Sequence, residues 1–344
     1  MTTGLLFDER FLAHRAPYGH PEHPGRLSAI WRRLSDEGLA GRCRAVPARE
    51  ASHEELARVH TAGHIAAIDD TARDAFRQLD PDTYTCRDSA LAARLAAGGL
   101  VDLAAEVASG RLANGLALVR PPGHHAEADR AMGFCLFNNV AVAARAVQAS
   151  RAAERVLIVD WDLHHGNGTQ NTFWEDPSVL YFSTHQSPLY PGTGALDEIG
   201  GGAGRGLTVN VPLPAGCGDA EYVAAFDRVL LPIARDFRPD LVLVSAGFDA
   251  AAGDPLGAMR LSPAGYAKLT ELLTTLAGGR VVLALEGGYG LDAIAASAAG
   301  CLRVLLGQTP PHVEAGAPSP VAVRILDAVL SRAGRFGGPG NARA

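Results

Sequence analysis

The sequence has no long apolar run, no basic tract and no CxxC pair. Without about 18 consecutive apolar residues it offers no membrane span. Without clustered Lys and Arg, and with a formal net charge of −6, it offers no surface for neutralising phosphates, so nucleic-acid binding is not expected. Its five cysteines (Cys43, Cys86, Cys135, Cys217 and Cys301) are widely spaced. That excludes a sulfur-ligated zinc site or a disulfide framework, and a reduced, cytoplasmic protein with cysteines in its core is expected. The opening "MTTGLLFDERF" lacks a basic segment ahead of an apolar core, so no secretory signal is read there. No repeat of fixed period occurs. The glycine-rich "EIGGGAGRG" (198–206) does not fit G-x-G-x-x-G and follows no strand, so it is a loop and not a nucleotide site.

What is present is globular. Of 344 residues, 47% are hydrophobic and 20% charged, which rules out a disordered chain. Apolar, β-branched runs at 115–120, 155–162, 179–185, 240–247 and 280–288 each lead into a glycine- or proline-rich loop. Continuous apolar strands of this kind are covered on both faces. Helical spacing of apolar residues at 88–109, 136–150, 219–236, 262–277 and 291–306 lies between or around them. The alternation predicts an α/β domain with a central parallel sheet flanked by helices. The first 80 residues read as helices and loops packed on that sheet. Residues 1–307 form the expected catalytic domain; 308–344 read as a linker, a short helix and a frayed tail "GRFGGPGNARA".

Ligands of an open parallel sheet bind beyond the carboxyl ends of its strands. The loops there carry His124 and His125; Asp160, Asp162, His164 and His165; Asp249 and Asp254; and Tyr289. In "DWDLHHGNG" (160–168), Asp162 and His164 are two apart, so in extended backbone they share a face and reach one ion. A third ligand must come from elsewhere, and Asp254 follows the next strong strand. One His and two carboxylates suit a divalent metal with an open position for water. "GDP" at 253–255 equally suits a turn or a helix cap. Asp249 reads as a brace of its loop. The pair His124–His125, fixed by "RPPG", suits proton transfer near neutral pH. Tyr289, after "EGG", can donate its hydroxyl to a developing oxyanion, or can be a satisfied core tyrosine.

The segments "RPPGHHA", "MGFCLFNNVAVAA", "VDWDLHHGNGTQ", "YPGTG", "SAGFDAAAGDPLG" and "LEGGY", in this order, make the chain resemble the zinc-dependent histone deacetylase superfamily. The nearest group is the class II-like bacterial amidohydrolases, and the likeness runs over 15–306. It implies the arginase/deacetylase fold, a single α/β domain around a parallel sheet of about eight strands. It implies one zinc ion held by Asp162, His164 and Asp254. His125 is then the general base and later acid, with His124 as its electrostatic partner. Asp160 orients His124 and Asn167 orients His125; an amide leaves His125 less basic than an aspartate would. Tyr289 hydrogen-bonds the scissile carbonyl oxygen. Gly133, Phe134 and Tyr190 line a narrow tunnel for an acyl-lysine-like chain, Leu256 gates it, and Asp82 is a rim acid that grips the substrate backbone. Arg26 lines an exit path for acetate. The resemblance also implies potassium near the zinc loop, through Asp160, Asp162, the His164 carbonyl, Ser183 and Thr184, and a second potassium through Phe173, Asp176 and Val179.

The implied reaction is hydrolysis of an acetyl or other acyl group from a lysine-like amine by metal-activated water. Three alternatives stand beside it. A two-manganese ureohydrolase needs an aspartate where this chain has Gly166. An acetylpolyamine amidohydrolase of one kind needs a glutamate where it has Leu256. A silent acyl-lysine binder would lack Tyr289 or a ligand. Gly290 stands where relatives often have asparagine or histidine, which predicts a looser Tyr289 loop. Self-association and the physiological substrate, protein or small amine, stay open at this stage.

Overall fold

The computed structural model describes residues 2–17, 19–313 and 316–333. Eight strands form one all-parallel sheet: β1 (Thr3–Leu6), β2 (Arg44–Val46), β5 (Asn114–Ala117), β6 (Val156–Asp160), β7 (Val179–Gln186), β8 (Thr208–Leu213), β9 (Leu241–Ala246) and β10 (Val281–Leu285), in the order β2-β1-β5-β10-β9-β6-β7-β8. The antiparallel hairpin of β3 (Phe76–Gln78) and β4 (Tyr84–Cys86) stands apart. Every residue of β6, β9 and β10 is buried, because helices cover both faces. The helix Ser89–Ala108 packs on Asn139–Ala149 on one side, and Pro263–Thr274 packs on Leu291–Leu305 on the other. The expected fold class is the one observed.

Two differences have local causes. The first 80 residues were expected to hold only helices and loops, yet they supply β1 and β2, the edge of the sheet. Strands of four and three residues are too short to show a period. The expected helix 219–236 is interrupted at Phe226–Leu230 by a π-turn, which ends two residues before Pro232. Proline removes one N–H and crowds the preceding turn, which the wider turn absorbs. The helix Pro320–Ala333 lies over β8, and its Ala322, Leu326 and Val329 join the same apolar core as the sheet. The tail 334–344 lies outside the described residues. Among the described residues no helix is long and apolar enough to cross a membrane.

This order decides where the chemistry sits. β5, β10, β9 and β6 are neighbours at the centre of the sheet. The loop after β5 carries His124 and His125, that after β10 carries Tyr289, that after β9 carries Asp249 and Asp254, and that after β6 carries Asp162 and His164. Register pairs Asp160 with Ser245 and Leu285 with Ala246, so these loops leave the sheet at one level. Gly287 and Gly247 let them close up. A Cβ on Gly247 would stand 2.0 Å from Asp162 Oδ2, and one on Gly287 would stand 2.1 Å from Asp249 Oδ2.

Candidate active site

Three donor groups converge beyond β6 and β9: Asp162, His164 and Asp249. His164 Nδ1 is 3.1 Å from Asp162 Oδ1 and 3.3 Å from Asp249 Oδ2. The remaining hydrogen bonds hold the carboxylates in place. Gly287 N–H donates to Asp162 Oδ2 (2.8 Å), His164 N–H to Asp162 Oδ1 (2.9 Å) and Leu163 N–H to Asp249 Oδ1 (2.9 Å). Asp249 Oδ2 is buried with no hydrogen-bond partner. Burial, then the charge of Asp162, lifts the Asp249 carboxyl to about 7. A buried carboxylate oxygen left bare beside a second carboxylate is strongly unfavourable unless a cation fills the gap. The donor set therefore fits a divalent ion with nitrogen and oxygen ligands.

Asp254, the expected third ligand, is not in this cluster. Its Oδ2 accepts from Tyr289 N–H (2.6 Å) and Gly290 N–H (3.0 Å), and its Oδ1 from Leu256 N–H (3.0 Å). The two readings of these aspartates change places: Asp249 faces the metal position and Asp254 braces a loop. The chain turns at Ala251–Gly253, so Asp254 is carried out to the Tyr289 loop, while Asp249, three residues past β9, stays at the level of Asp162. The Tyr289 loop is thus anchored to Asp254 through two backbone amides.

The paired histidines lie with ring centres 4.0 Å apart. His124 Nδ1 meets Asp160 Oδ2 at 3.0 Å. Burial alone would drive this imidazole neutral, but Asp160 and Asp162 outweigh it and hold His124 protonated up to about 10. His125 is pushed the other way, well below an ordinary histidine, by burial and by His124 and His164. Its Nδ1 meets Asn167 Oδ1 at 2.8 Å. Asn167 Nδ2 donates to Glu127 Oε1 at 2.5 Å, and a carboxylate can only accept. That fixes the orientation of the amide. It follows that His125 carries its proton on Nδ1 and leaves Nε2 bare, the state a general base needs.

Above them opens a cavity of about 260 Å³. It is lined by His124, His125, His164, Gly287 and Tyr289, together with Gly133, Phe134, Tyr190, Leu256 and Asp82. All five residues expected to meet substrate thus line one cavity. Phe134 holds a left-handed backbone (φ 68°), fixed by Thr83 Oγ1 on its N–H (3.0 Å) and by Asp82 Oδ1 on the preceding Gly133 N–H (3.2 Å). Non-glycine residues there are strained, so Phe134 is held in position at a cost. Tyr289 is buried to 9% exposure, and burial keeps its phenol protonated far above pH 10, as a hydroxyl donor.

A histone deacetylase domain profile matches residues 20–305. Histone deacetylase 15 of Arabidopsis thaliana is 51% identical over 90% of this chain and 58% of its own length. Histone deacetylase 7 of Homo sapiens is 46% identical over 96% of this chain and 39% of its own length. A crystal structure of the HDA15 HD domain superposes with a TM-score of 0.93, at 48% identity, over 97% of this chain and 95% of that one. The chain belongs to the histone deacetylase family. It spans little more than half of the first of these relatives and less than half of the second.

Within this member of the family, the other expected residues fall as follows. His165 points away from the metal position and bonds Thr193 Oγ1 (2.7 Å) and Gln170 Oε1 (3.0 Å). Ser183 lies beside Asp160 in register, its Oγ on His185 Nδ1 (2.9 Å), and Thr184 Oγ1 is buried without a partner. Around the second expected potassium position, Asp176 accepts from Ser178 and Arg145, and the Arg145 guanidinium covers the Phe173 ring at 4.6 Å; Val179 is buried at the start of β7. Arg26, expected on an exit path, lies with its guanidinium 4.8 Å from the centre of the Tyr289 ring. It is fully buried and donates to Gly288 O and Glu286 O, both at 2.5 Å. Sequence reasoning passed over Glu127 and misassigned Asp249; the one available signal for Asp249 was its closeness to the end of β9.

Proposed function

We propose that this protein is a metal-dependent amide hydrolase that removes acetyl or other acyl groups from lysine side chains. One observation carries the reading: His125 with its bare Nε2, Tyr289, and His164 of the Asp162–His164–Asp249 donor set line a single cavity together with the apolar Phe134, Leu189 and Leu256. When bound there, a zinc ion supplies Lewis acidity to a carbonyl and lowers the pKa of a water. His125 takes the proton of the attacking water at Nε2 and later gives it to the departing amine. Tyr289 donates to the carbonyl oxygen as that oxygen gains charge. His124, held charged by Asp160, places a positive charge beside His125 and keeps its partner neutral until the water's proton arrives. Phe134 and Tyr190 hold the apolar stem of the acylated side chain, and Asp82, which lines the same cavity, is positioned to accept from the substrate backbone.

An acylated small amine is the second reading. Leu256 at the wall offers a cationic chain no attraction, so acyl-lysine is favoured. A potassium ion beside Asp160 is supported by the unpartnered Thr184 hydroxyl. A reducing compartment such as the cytoplasm is supported by the five free cysteines. The test is hydrolysis of a fluorogenic acetyl-lysine peptide compared with an acetylputrescine-type amide. Activity on the peptide that is lost with chelator and restored by zinc is expected. A protein that binds zinc and leaves both amides intact is a binder, and the reading fails.

A further inference from the structure

Glu286 directly follows β10 and is 1% exposed. It takes no part in the proton transfers above, yet it is a carboxylate buried under the catalytic histidines. Its Oε2 accepts from Gly123 N–H (2.6 Å) and His124 N–H (3.2 Å), and its Oε1 from Ser245 Oγ (3.1 Å). Its own carbonyl accepts from Arg26 Nη2 (2.5 Å). The next residue, Gly287, donates its N–H to the metal-facing Asp162, and Tyr289 follows two places later. One tetrapeptide, Glu286–Tyr289, therefore touches the histidine loop, a metal-facing carboxylate and the oxyanion donor. Glu286 thus satisfies two N–H groups of the loop after β5.

We infer that Glu286 is a positioning residue: its carboxylate pins the backbone of Gly123 and His124 and so sets the distance between the His124–His125 pair and Tyr289. A buried side chain is an expensive way to satisfy two amides, and burial lifts this carboxyl to about 7. What this arrangement provides is reach. The glutamate spans from β10 to the loop after β5 with Ser245 of β9 as its third anchor. Aspartate has the same charge and is one methylene shorter. Glutamine has the same reach; its carbonyl can accept both amides and its NH2 can donate to Ser245.

The inference rests on the hydrolase reading, and two readouts keep the two apart. The first is amide hydrogen exchange of the 120–126 segment in the zinc-loaded protein, with the 156–160 strand as internal reference. Exchange in 120–126 is expected to rise in Glu286→Asp, to stay low in Glu286→Gln, and to leave 156–160 unchanged in both. The second is the split between kcat and KM on the acetyl-lysine peptide. Glu286→Asp should lose kcat by about 10- to 100-fold, the usual consequence of a misplaced catalytic group, with KM within about twofold, while Glu286→Gln stays near wild type. If Glu286→Asp keeps both its protection and its kcat, or if Glu286→Gln is as damaged as Glu286→Asp, positioning by reach is overturned. If exchange rises equally in 156–160, the role is general stability and the inference is also overturned. A wild-type protein without hydrolysis overturns only the hydrolase reading, since the exchange comparison still decides the brace.

Discussion

At the scale of single residues, the site turns on which carboxylate faces the ion. Asp249 and Asp254 lie in one loop, both acidic and both after β9, and only their distance from the end of β9 ranks them. The structure separates them by their partners: one has a bare buried oxygen, the other accepts three backbone amides. Asp249→Asn should therefore strip zinc from the purified protein, and Asp254→Asn should keep about one zinc per chain, as measured by atomic emission. The opposite pattern would restore Asp254 as ligand. A second expectation concerns His125. As a base it works when neutral, so activity is present above its pKa and lost as pH falls through it. Here that pKa is held well below an ordinary histidine, which places the acid limb of kcat/KM below pH 6.5. Asn167→Asp would put a carboxylate on Nδ1 and favour the charged ring. Glu127 would repel that carboxylate, so the change is best made with Glu127→Gln. The acid limb of the double variant should move to higher pH by about one unit; an unmoved limb would mean Asn167 does not set the basicity of His125.

At the scale of elements, the helices near the site are tied to the catalytic loops by their ends. Asn138 caps the helix Asn139–Ala149 by accepting from Ala141 N–H (3.0 Å), and its Nδ2 donates to Thr169 Oγ1 (3.1 Å) in the short helix Asn167–Thr172. That second helix begins with the residue that orients His125. Removing the Asn138 side chain loses a cap and strands a buried hydroxyl, so Asn138→Ala should cost about 2 kcal/mol in urea unfolding. A change under 0.5 kcal/mol would show that the cap is dispensable. The helix itself was legible from its apolar spacing over 136–150. The tie to Thr169 was not, because it joins residues 31 apart in sequence.

At the scale of the whole molecule, the C-terminal helix belongs to the same body as the sheet. The sequence suggested a boundary at 307, on the strength of "TPPHVEAGAPSP", yet Ala322, Leu326 and Val329 are buried with the sheet. A chain ending at 307 should lose about 3 kcal/mol or more of apolar burial and melt several degrees lower in the zinc-loaded form. An unchanged melting point would make the helix an ornament. The sequence alone determined the parallel sheet, because β6, β9 and β10 are apolar but for Asp160 and Ser245, and only a sheet covered on both faces buries such strands. It also determined that Asp162, His164, His124, His125 and Tyr289 stand beyond the sheet's carboxyl edge, since each directly follows such a strand. Tertiary structure alone decided that β1 and β2 extend the sheet, that Asp249 turns inward, that Glu127 fixes the amide of Asn167, and that Glu286 reaches the histidine loop. Those facts depend on which loops become neighbours when β5, β10, β9 and β6 are laid side by side, and strand order is set by packing across the whole chain, not by any local pattern.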